Sequence, residues 1–318
     1  MLDRRTLLGH AVVGLFGTAF AGGATAETDT STPGTTTVSF TLSPTALRHT
    51  DLPPAVASRI ARLEHTYRSF SLGAVDRLAG RADVSSAHVR EGTLVASGSF
   101  DAEALANEIQ RQETRFTRAD ESTRTPKPHE TDTSRSTESP GQSAHRPHRF
   151  VDEETAETLE IDSSKITLAR GRSATSDGAV TPLSTTGAVP TTGTRRGDRI
   201  ASRLHGHAVV VSTLDDASRT HLRKQLVDAP DSVKTILRRL RVGGLGLQVG
   251  REQSRLRYVL DGEREADLSD ALDAAVSEFA RTDGVDEVER SRDGSLFVVE
   301  ATVSTGTLWT SHERFLGR

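Results

Sequence analysis

The sequence predicts an α+β protein built from two tandem ferredoxin-like (βαββαβ) units. Segments in which apolar and polar residues alternate, as in half-buried strands, are interleaved with segments whose apolar residues recur every three or four positions, as in amphipathic helices. The order strand, helix, strand, strand, helix, strand occurs before residue 172 and again after residue 199. One larger continuous sheet is the alternative that this order of elements also allows.

The predicted N-terminal unit, residues 36–112, begins with a strand of alternating apolar residues and continues into a helix opened by a proline pair. Two strand-like runs follow. Asp101 then supplies the kind of side chain that caps a helix N-terminus. In order, these elements are expected at 38–42, 54–67, 74–84, 93–100 and 101–112.

Two stretches are poor in the apolar residues that a core requires, although Val180, Leu183 and Val189 in the second could dock transiently. Residues 117–149 contain no Val, Ile, Leu, Met, Phe, Trp or Tyr, and residues 172–198 are dominated by Thr, Gly and Ser. Burial in such segments cannot offset the entropy lost on ordering them. We therefore predict Thr/Ser/Pro-rich spacers like those of secreted proteins: a flexible tail at 27–35, a disordered spacer at 113–149 and a flexible spacer at 172–199.

A β-hairpin is predicted at residues 150–171, between the two spacers. Leu159 and Ile161 face Ile166 and Leu168 across the turn 162–165. This hairpin is expected to complete the first unit.

The C-terminal unit is predicted at residues 200–303, followed by a tail at 304–318. Its most regular element is a helix capped by Asp267, whose apolar residues recur along one face. Strands are expected on both sides of the turn 292–294. The apolar stripe of the helix consists of Leu268, Leu272, Ala275, Val276 and Phe279.

The first 26 residues resemble a twin-arginine export signal. Arg4 and Arg5 precede an apolar stretch at 7–20, which is shorter than the roughly 20 residues that span a bilayer. Small residues lead up to Ala26, where we expect cleavage. An uncleaved N-terminal anchor is the alternative. The mature protein is expected to be extracellular or associated with the cell surface, without a transmembrane span.

Composition excludes several classes of protein. Removal of the signal changes 40 basic and 44 acidic residues to 38 and 43, a net charge of −5, which disfavours a nucleic-acid partner. Cysteine is absent, so disulfides, thiolate metal sites and cysteine nucleophiles are excluded. Asn107, the one asparagine, stands outside any N-glycosylation motif.

The pair His205 and His207 is the candidate metal site. If it lies on a strand, both imidazoles share one face, but two ligands do not complete a site. A third ligand would come from Asp215, Asp216 or His221. The simpler interpretation is two partly exposed histidines on a strand. A further group falls in the first spacer, where a solvated linker explains it: His129, His145 and His148.

Other motifs have structural explanations. The glycine-rich run 243–250 lacks the Lys-Ser/Thr of a phosphate loop and leads into a strand, so its glycines indicate a bulge or close packing between helix and sheet. Three arginines near 240 suit the negative end of a helix dipole, with an anion site as the alternative. The acidic pairs 153–154 and 215–216 lack calcium-loop spacing. Trp309 is expected to pack over the core. The three arginines are Arg238, Arg239 and Arg241.

The chain resembles exported haloarchaeal proteins of unassigned function. The resemblance lies in the segments 96–101, 244–247, 258–260 and 296–300, together with the preference for Arg over Lys. It implies a twin-arginine-exported protein of a halophilic archaeon. It brings no catalytic residues.

No concentrated catalytic motif or cofactor motif is found. The sequence therefore favours an exported non-catalytic protein that binds a partner or an envelope component and takes no cofactor. The alternative is a secreted hydrolase or metal-dependent enzyme whose site residues are dispersed. An enzyme should show a deep pocket with converging polar groups, whereas a binding protein can present a groove or a sheet face.

Overall fold

The computed structural model describes residues 35–48, 50, 52, 54–85, 88–113, 115–119, 147–171, 193–263 and 265–316. The predicted signal peptide, the tail 27–34 and most of both predicted spacers lie outside these residues. The described strands are β1 Thr36–Leu42, β2 Val75–Ser85, β3 His88–Gly98, β4 Thr117–Arg118, β5 His148–Asp152, β6 Glu157–Ile161, β7 Lys165–Arg170, β8 Ala208–Thr213, β9 Leu240–Gln248, β10 Gln253–Gly262, β11 Val285–Asp293 and β12 Leu296–Ser304.

Helices are interleaved with these strands. Short 3-10 turns at Leu72–Ala74 and Thr305–Thr307 precede β2 and the last helix. The described α-helices are α1 Pro44–Leu47, α2 Pro54–Thr66, α3 Ala102–Gln112, α4 Arg195–Ala201, α5 Asp216–Gln225, α6 Asp231–Arg239, α7 Glu265–Phe279 and α8 Leu308–Phe315. Among them, none has the length and apolar character needed to cross a membrane.

The described strands form one antiparallel sheet in the order β11-β12-β10-β9-β8-β1-β2-β3-β7-β6-β5-β4. The β1–β8 ladder joins the seven strands β1 to β7 to the five strands β8 to β12, and it runs from Thr37 opposite Thr213 to Leu42 opposite Ala208. The predicted α+β class is confirmed. Of the two arrangements that the sequence allowed, the single continuous sheet is the one observed.

The strand order differs from that of tandem ferredoxin-like units, and the helices supply the reason. In a split βαβ unit, one helix returns the chain so that the flanking strands run parallel with another strand between them. Here two successive helices, α5 and α6, separate β8 from β9, so the direction reverses once more and the two strands pair directly in antiparallel fashion. Helices α1 and α2 have the same effect between β1 and β2. The split pattern survives at β10–α7–β11, where β12 lies between the two strands.

The two faces of the sheet carry different layers, because successive residues of a strand point to opposite sides. Phe40 and Val210 point to what we call the helical face. Helices α1, α7 and α8 pack there, and α3 packs on the same side farther along the sheet. Val209 and Val211 point to the opposite side, which we call the α4 face, and pack against Ile200 of α4. Most of the helices therefore cover one face, while α4 lies on the other.

Several predicted local features are confirmed. Strands β6 and β7 pair around the turn 162–165, where the backbone N–H of Ser164 donates to Asp162 Oδ1 at 2.7 Å. Strands β11 and β12 pair across a turn in which Gly294 has a φ of 62°, a value that favours glycine. Asp101 caps α3 by accepting from the N–H of Ala104 at 3.0 Å. Helix α7, however, begins two residues before its predicted cap, so Asp267 lies in the first turn.

Three predicted boundaries need correction. Strand β4 and the start of β5 fall inside the predicted spacer 113–149, because they flank the buried side chains of Phe116 and Phe150 and pair with each other. Helix α4 begins inside the predicted spacer 172–199, where Thr194 Oγ1 accepts from the N–H of Gly197. The predicted tail 304–318 contains α8, which is held by the buried side chain of Leu308.

Candidate binding groove beside helix α4

The candidate pair His205 and His207, expected on a strand, precedes β8 instead. Gly206, between them, has a φ of 134°, and a Cβ there would approach the carbonyl oxygen of Leu247 to 2.4 Å. This close passage against β9 turns the chain, so the strand begins only at Ala208. Both histidines are exposed, and the backbone N–H of Val249 donates to His207 Nδ1 at 3.0 Å.

The proposed third ligands have other roles. Asp215 caps α5, since its Oδ1 accepts from the N–H of Ser218 at 2.7 Å. Asp216 pairs with Arg219. His221 lies on α5. Within the described part of the chain, no three His, Asp or Glu side chains are grouped so as to hold a metal ion.

Of the three histidines in the first predicted spacer, the structure describes His148. His148 begins β5, where its Nε2 lies 3.2 Å from a carboxylate oxygen of Glu103 and its Nδ1 lies 2.6 Å from Arg118 Nη2. His129 and His145 lie outside the described residues.

The glycine-rich run belongs to β9 and faces α4. A Cβ at Gly244 would lie 2.4 Å from a methyl carbon of Leu204 and 2.7 Å from one of Ile200. The expectation of close packing between helix and sheet is confirmed at this glycine. The run therefore brings α4 close to the sheet and does not form a phosphate loop.

The arginines near residue 240 form ion pairs with neighbouring elements. Arg239 Nη2 lies 3.0 Å from a carboxylate oxygen of Asp267, and Arg241 Nε donates to Glu263 at 2.5 Å. Trp309 packs against the main core cluster of the helical face, as predicted, and its indole N–H donates to Thr50 Oγ1 at 3.0 Å.

Two neighbouring grooves, which we call the α4 grooves, open beside α4. The larger, of about 450 Å³, lies where β8 ends and β9 begins, and the smaller, of about 370 Å³, runs along the helix. Arg196 belongs to both, so the two grooves meet at its side chain. The larger is lined by Thr194, Arg196, Thr213, Leu214, Asp215, Asp216, Arg219, Arg241, Val242 and Glu263. The smaller is lined by Arg195, Arg196, Arg199, Asp261 and Ser295.

Two arginines of the larger groove retain unused donors. The Arg196 side chain is 52% exposed, and among the described residues it makes no hydrogen bond and one ion pair, of 3.8 Å, with the nearly buried carboxylate of Asp261. Arg241 uses Nε for Glu263, which leaves its terminal Nη groups without a partner among the described residues. That hydrogen bond, with the charge of Arg241, holds the pKa of Glu263 below its ordinary value. Arg219, in contrast, is committed to Asp216 and to the carbonyl oxygen of Leu240.

Two residues that line the larger groove, Thr213 and Asp215, each hold one buried oxygen with unmet hydrogen-bonding capacity. Thr213 Oγ1 and Asp215 Oδ2 are both buried, and neither has a hydrogen-bond partner in the described structure. Buried polar atoms in native proteins usually have a partner, supplied by protein or by ordered water. The groove thus combines unused guanidinium donors with unused acceptors.

The sequence does not predict these grooves, because α4 begins in a stretch whose composition predicts a spacer. The available signal was short: Thr194, an N-cap residue, stands before a run that contains one large apolar residue, Ile200. That side chain is fully buried under the helix. The grooves also depend on β9 and β10, which are distant in sequence from α4.

Comparisons with known proteins identify no family. No protein-family model matches the chain, and no curated protein sequence matches it. Among solved structures, crystal forms III, IV and I of TP0453 align with TM-scores of 0.43, 0.40 and 0.39 and sequence identities of 11, 12 and 11%. The alignments cover 86–87% of this chain and 91–93% of TP0453.

Proposed function

We propose that this chain is an exported, non-catalytic protein that binds a partner or envelope component through the α4 grooves. The observation that carries the proposal is the exposed Arg196 at the meeting point of two shallow grooves, with most of its donors unused. Guanidinium groups with free Nη donors are suited to recognising carboxylate or phosphate groups in pairs of hydrogen bonds.

The chemistry of the groove supports binding rather than acid–base catalysis. A general acid or base works best when its pKa lies near the operating pH. Arg241 instead lowers the pKa of Glu263 and keeps this carboxylate ionised. Asp216 is paired with Arg219, and Asp215 uses Oδ1 to cap a helix. These roles favour a charged recognition surface over the hydrolase alternative.

Export to the cell surface is part of the proposal and rests on Arg4, Arg5 and the apolar stretch that follows. Replacing both arginines with lysine should retain precursor inside the cell, because a lysine ammonium cannot reproduce the paired planar guanidinium groups. The measurement is the ratio of mature to precursor protein in cell and external fractions. Mature protein outside at wild-type levels would contradict this route.

The role of the grooves is tested by retention on envelopes of the source cells. Purified mature protein should sediment with washed envelopes, and the double variant Arg196→Ala/Arg241→Ala should lose most of this retention. The matched control is Arg251→Ala/Arg255→Ala, since both of these arginines are exposed and neither has a partner in the described structure. Equal retention of the two double variants would reject the grooves as the contact surface.

A further inference from the structure

We propose that the larger α4 groove binds an extended acidic segment of a protein, which it recognises by carboxylate side chains and backbone N–H groups together. This inference rests on the proposed function, because it names the class of ligand for the same surface. The groove volume of about 450 Å³ falls within the range of roughly 300–1,000 Å³ that is typical of ligand sites.

The unused donors of the groove indicate that the ligand carries carboxylate groups. Arg196 makes no hydrogen bond in the described structure, and Arg241 has both Nη groups available. Each planar guanidinium presents parallel N–H donors that match the two oxygens of one carboxylate. Two such groups on one groove favour a ligand that carries more than one acidic side chain.

The unpaired acceptors of the groove indicate that the ligand also carries hydrogen-bond donors. Thr213 and Asp215 both line the groove, and Thr213 Oγ1 and Asp215 Oδ2 are buried just beneath it without a hydrogen-bond partner among the described residues. A peptide offers backbone N–H donors beside its carboxylates. A small rotation of the Thr213 or Asp215 side chain would let the peptide donate to these oxygens. Phosphate groups at neutral pH offer mainly acceptors, so they would satisfy the arginines and leave these two oxygens unpaired.

The pattern of charge argues against a polyphosphate or a lipid surface. Each exposed arginine of the groove stands beside a carboxylate, Arg196 beside Asp261 and Arg241 beside Glu263. A continuous polyanion would meet these carboxylates and be repelled. Separate carboxylates on a flexible peptide backbone can instead bind each arginine individually and avoid the neighbouring carboxylates of the groove.

The test uses a fluorescently labelled 12-residue peptide of alternating Glu and Gly, with the purified mature chain. Anisotropy should show saturable binding that weakens as salt screens the charges. Arg196→Ala/Arg241→Ala should weaken binding at least about tenfold, the change that about 1.4 kcal/mol produces. Arg251→Ala/Arg255→Ala should bind as the wild type does. A Gln-Gly peptide of the same length should not bind.

Thr213→Val provides a second variant that leaves every charge in place. This variant removes the unpaired hydroxyl, so it should weaken binding of the peptide. Any residual binding of inorganic phosphate should be unchanged. Absence of saturable peptide binding would overturn the inference. So would binding of inorganic phosphate, or of vesicles containing anionic lipid, at lower concentration than the peptide.

The two proposals fail in different ways. If envelope retention depends on Arg196 and Arg241 while the Glu-Gly peptide does not bind, the ligand class is wrong and the role of the groove stands. If envelope retention does not depend on Arg196 and Arg241, the proposed function is wrong, whether or not the peptide binds.

Discussion

Replacing Phe279 with alanine tests the packing of α7 and α8 on the sheet. Phe279 is the last residue of α7 and is 5% exposed. Its ring centroid lies 4.8 Å from that of Phe315 and 6.3 Å from that of His312, whose ring meets it edge-on. The ring therefore fills the space between the last two helices and the helical face.

The size of the effect follows from this burial. Truncating a buried phenylalanine to alanine costs about 3–5 kcal/mol, because apolar contacts are lost and a cavity remains. For a folded region of the size that the structure describes, each kcal/mol lowers Tm by about 2–4 °C, so the fall should be about 6–20 °C. The unfolding transition should stay single, since one sheet joins the elements on which the ring packs.

Thermal unfolding followed by circular dichroism measures the change, with Asp270→Ala as the control. Asp270 lies on the exposed side of the same helix and has no hydrogen bond or ion pair among the described residues. Glu278 would be unsuitable, because its carboxylate accepts from Ser232 Oγ at 2.5 Å. Fluorescence of Trp309, on α8, gives a local readout of whether that helix stays docked. A fall in Tm no larger than that of Asp270→Ala would refute the packing.

Two further predictions concern backbone space and charge. Gly98→Ala should lower the denaturant midpoint by at least the equivalent of about 1–3 kcal/mol, since a Cβ there would lie 2.0 Å from the carbonyl oxygen of Ala74, whereas Gly306→Ala has open space and should be neutral. Arg241→Ala should raise the pKa of Glu263 toward its ordinary value of 4.5 in an NMR titration of the side-chain carboxyl. Because the wild-type folded pKa is lowered, the pairing stabilises the protein above pH 4.5 and is lost as pH falls through the folded value. An unchanged titration would show that the hydrogen bond is not formed in solution.

The local elements could be predicted because their signals lie within a few residues. The stripe from Leu268 to Phe279 requires only the helical repeat, and four of its five residues are buried, with Val276 half-buried. The turn at Gly294 requires only the backbone freedom of glycine. Such features are determined by chain geometry that operates over one or two turns.

The strand order could not be predicted in this way. Thr37 pairs with Thr213, and no local pattern in either strand identifies its partner across that separation. The direct pairing of β8 with β9 likewise depends on how α5 and α6 together return the chain to the sheet. Helix α4 was missed because its burial depends mainly on Ile200 and because strands far along the chain form the surface that it covers.

The α4 grooves could not be predicted either, because they are formed by residues that are far apart in the sequence. Arg196, Asp261 and Arg241 come together only after β9 and β10 have paired and α4 has packed on them. The residues that the sequence did single out, His205 and His207, were chosen for their residue type, whereas unused hydrogen-bonding capacity is visible only in the folded chain.

The β1–β8 ladder joins the N-terminal and C-terminal halves of the sheet, so separating the two halves would expose strands that are interior in the intact protein. A chain cut between residues 171 and 193 would leave each fragment with a bare interior strand, which presents a row of unpaired N–H and C=O groups. Expressed alone, either fragment should aggregate or recruit a foreign strand. Expressed together, the fragments should reassemble by fragment complementation, because each contains the edge that the other lacks. The same complementarity would allow two intact chains to exchange halves, giving a domain-swapped dimer with the same central ladder.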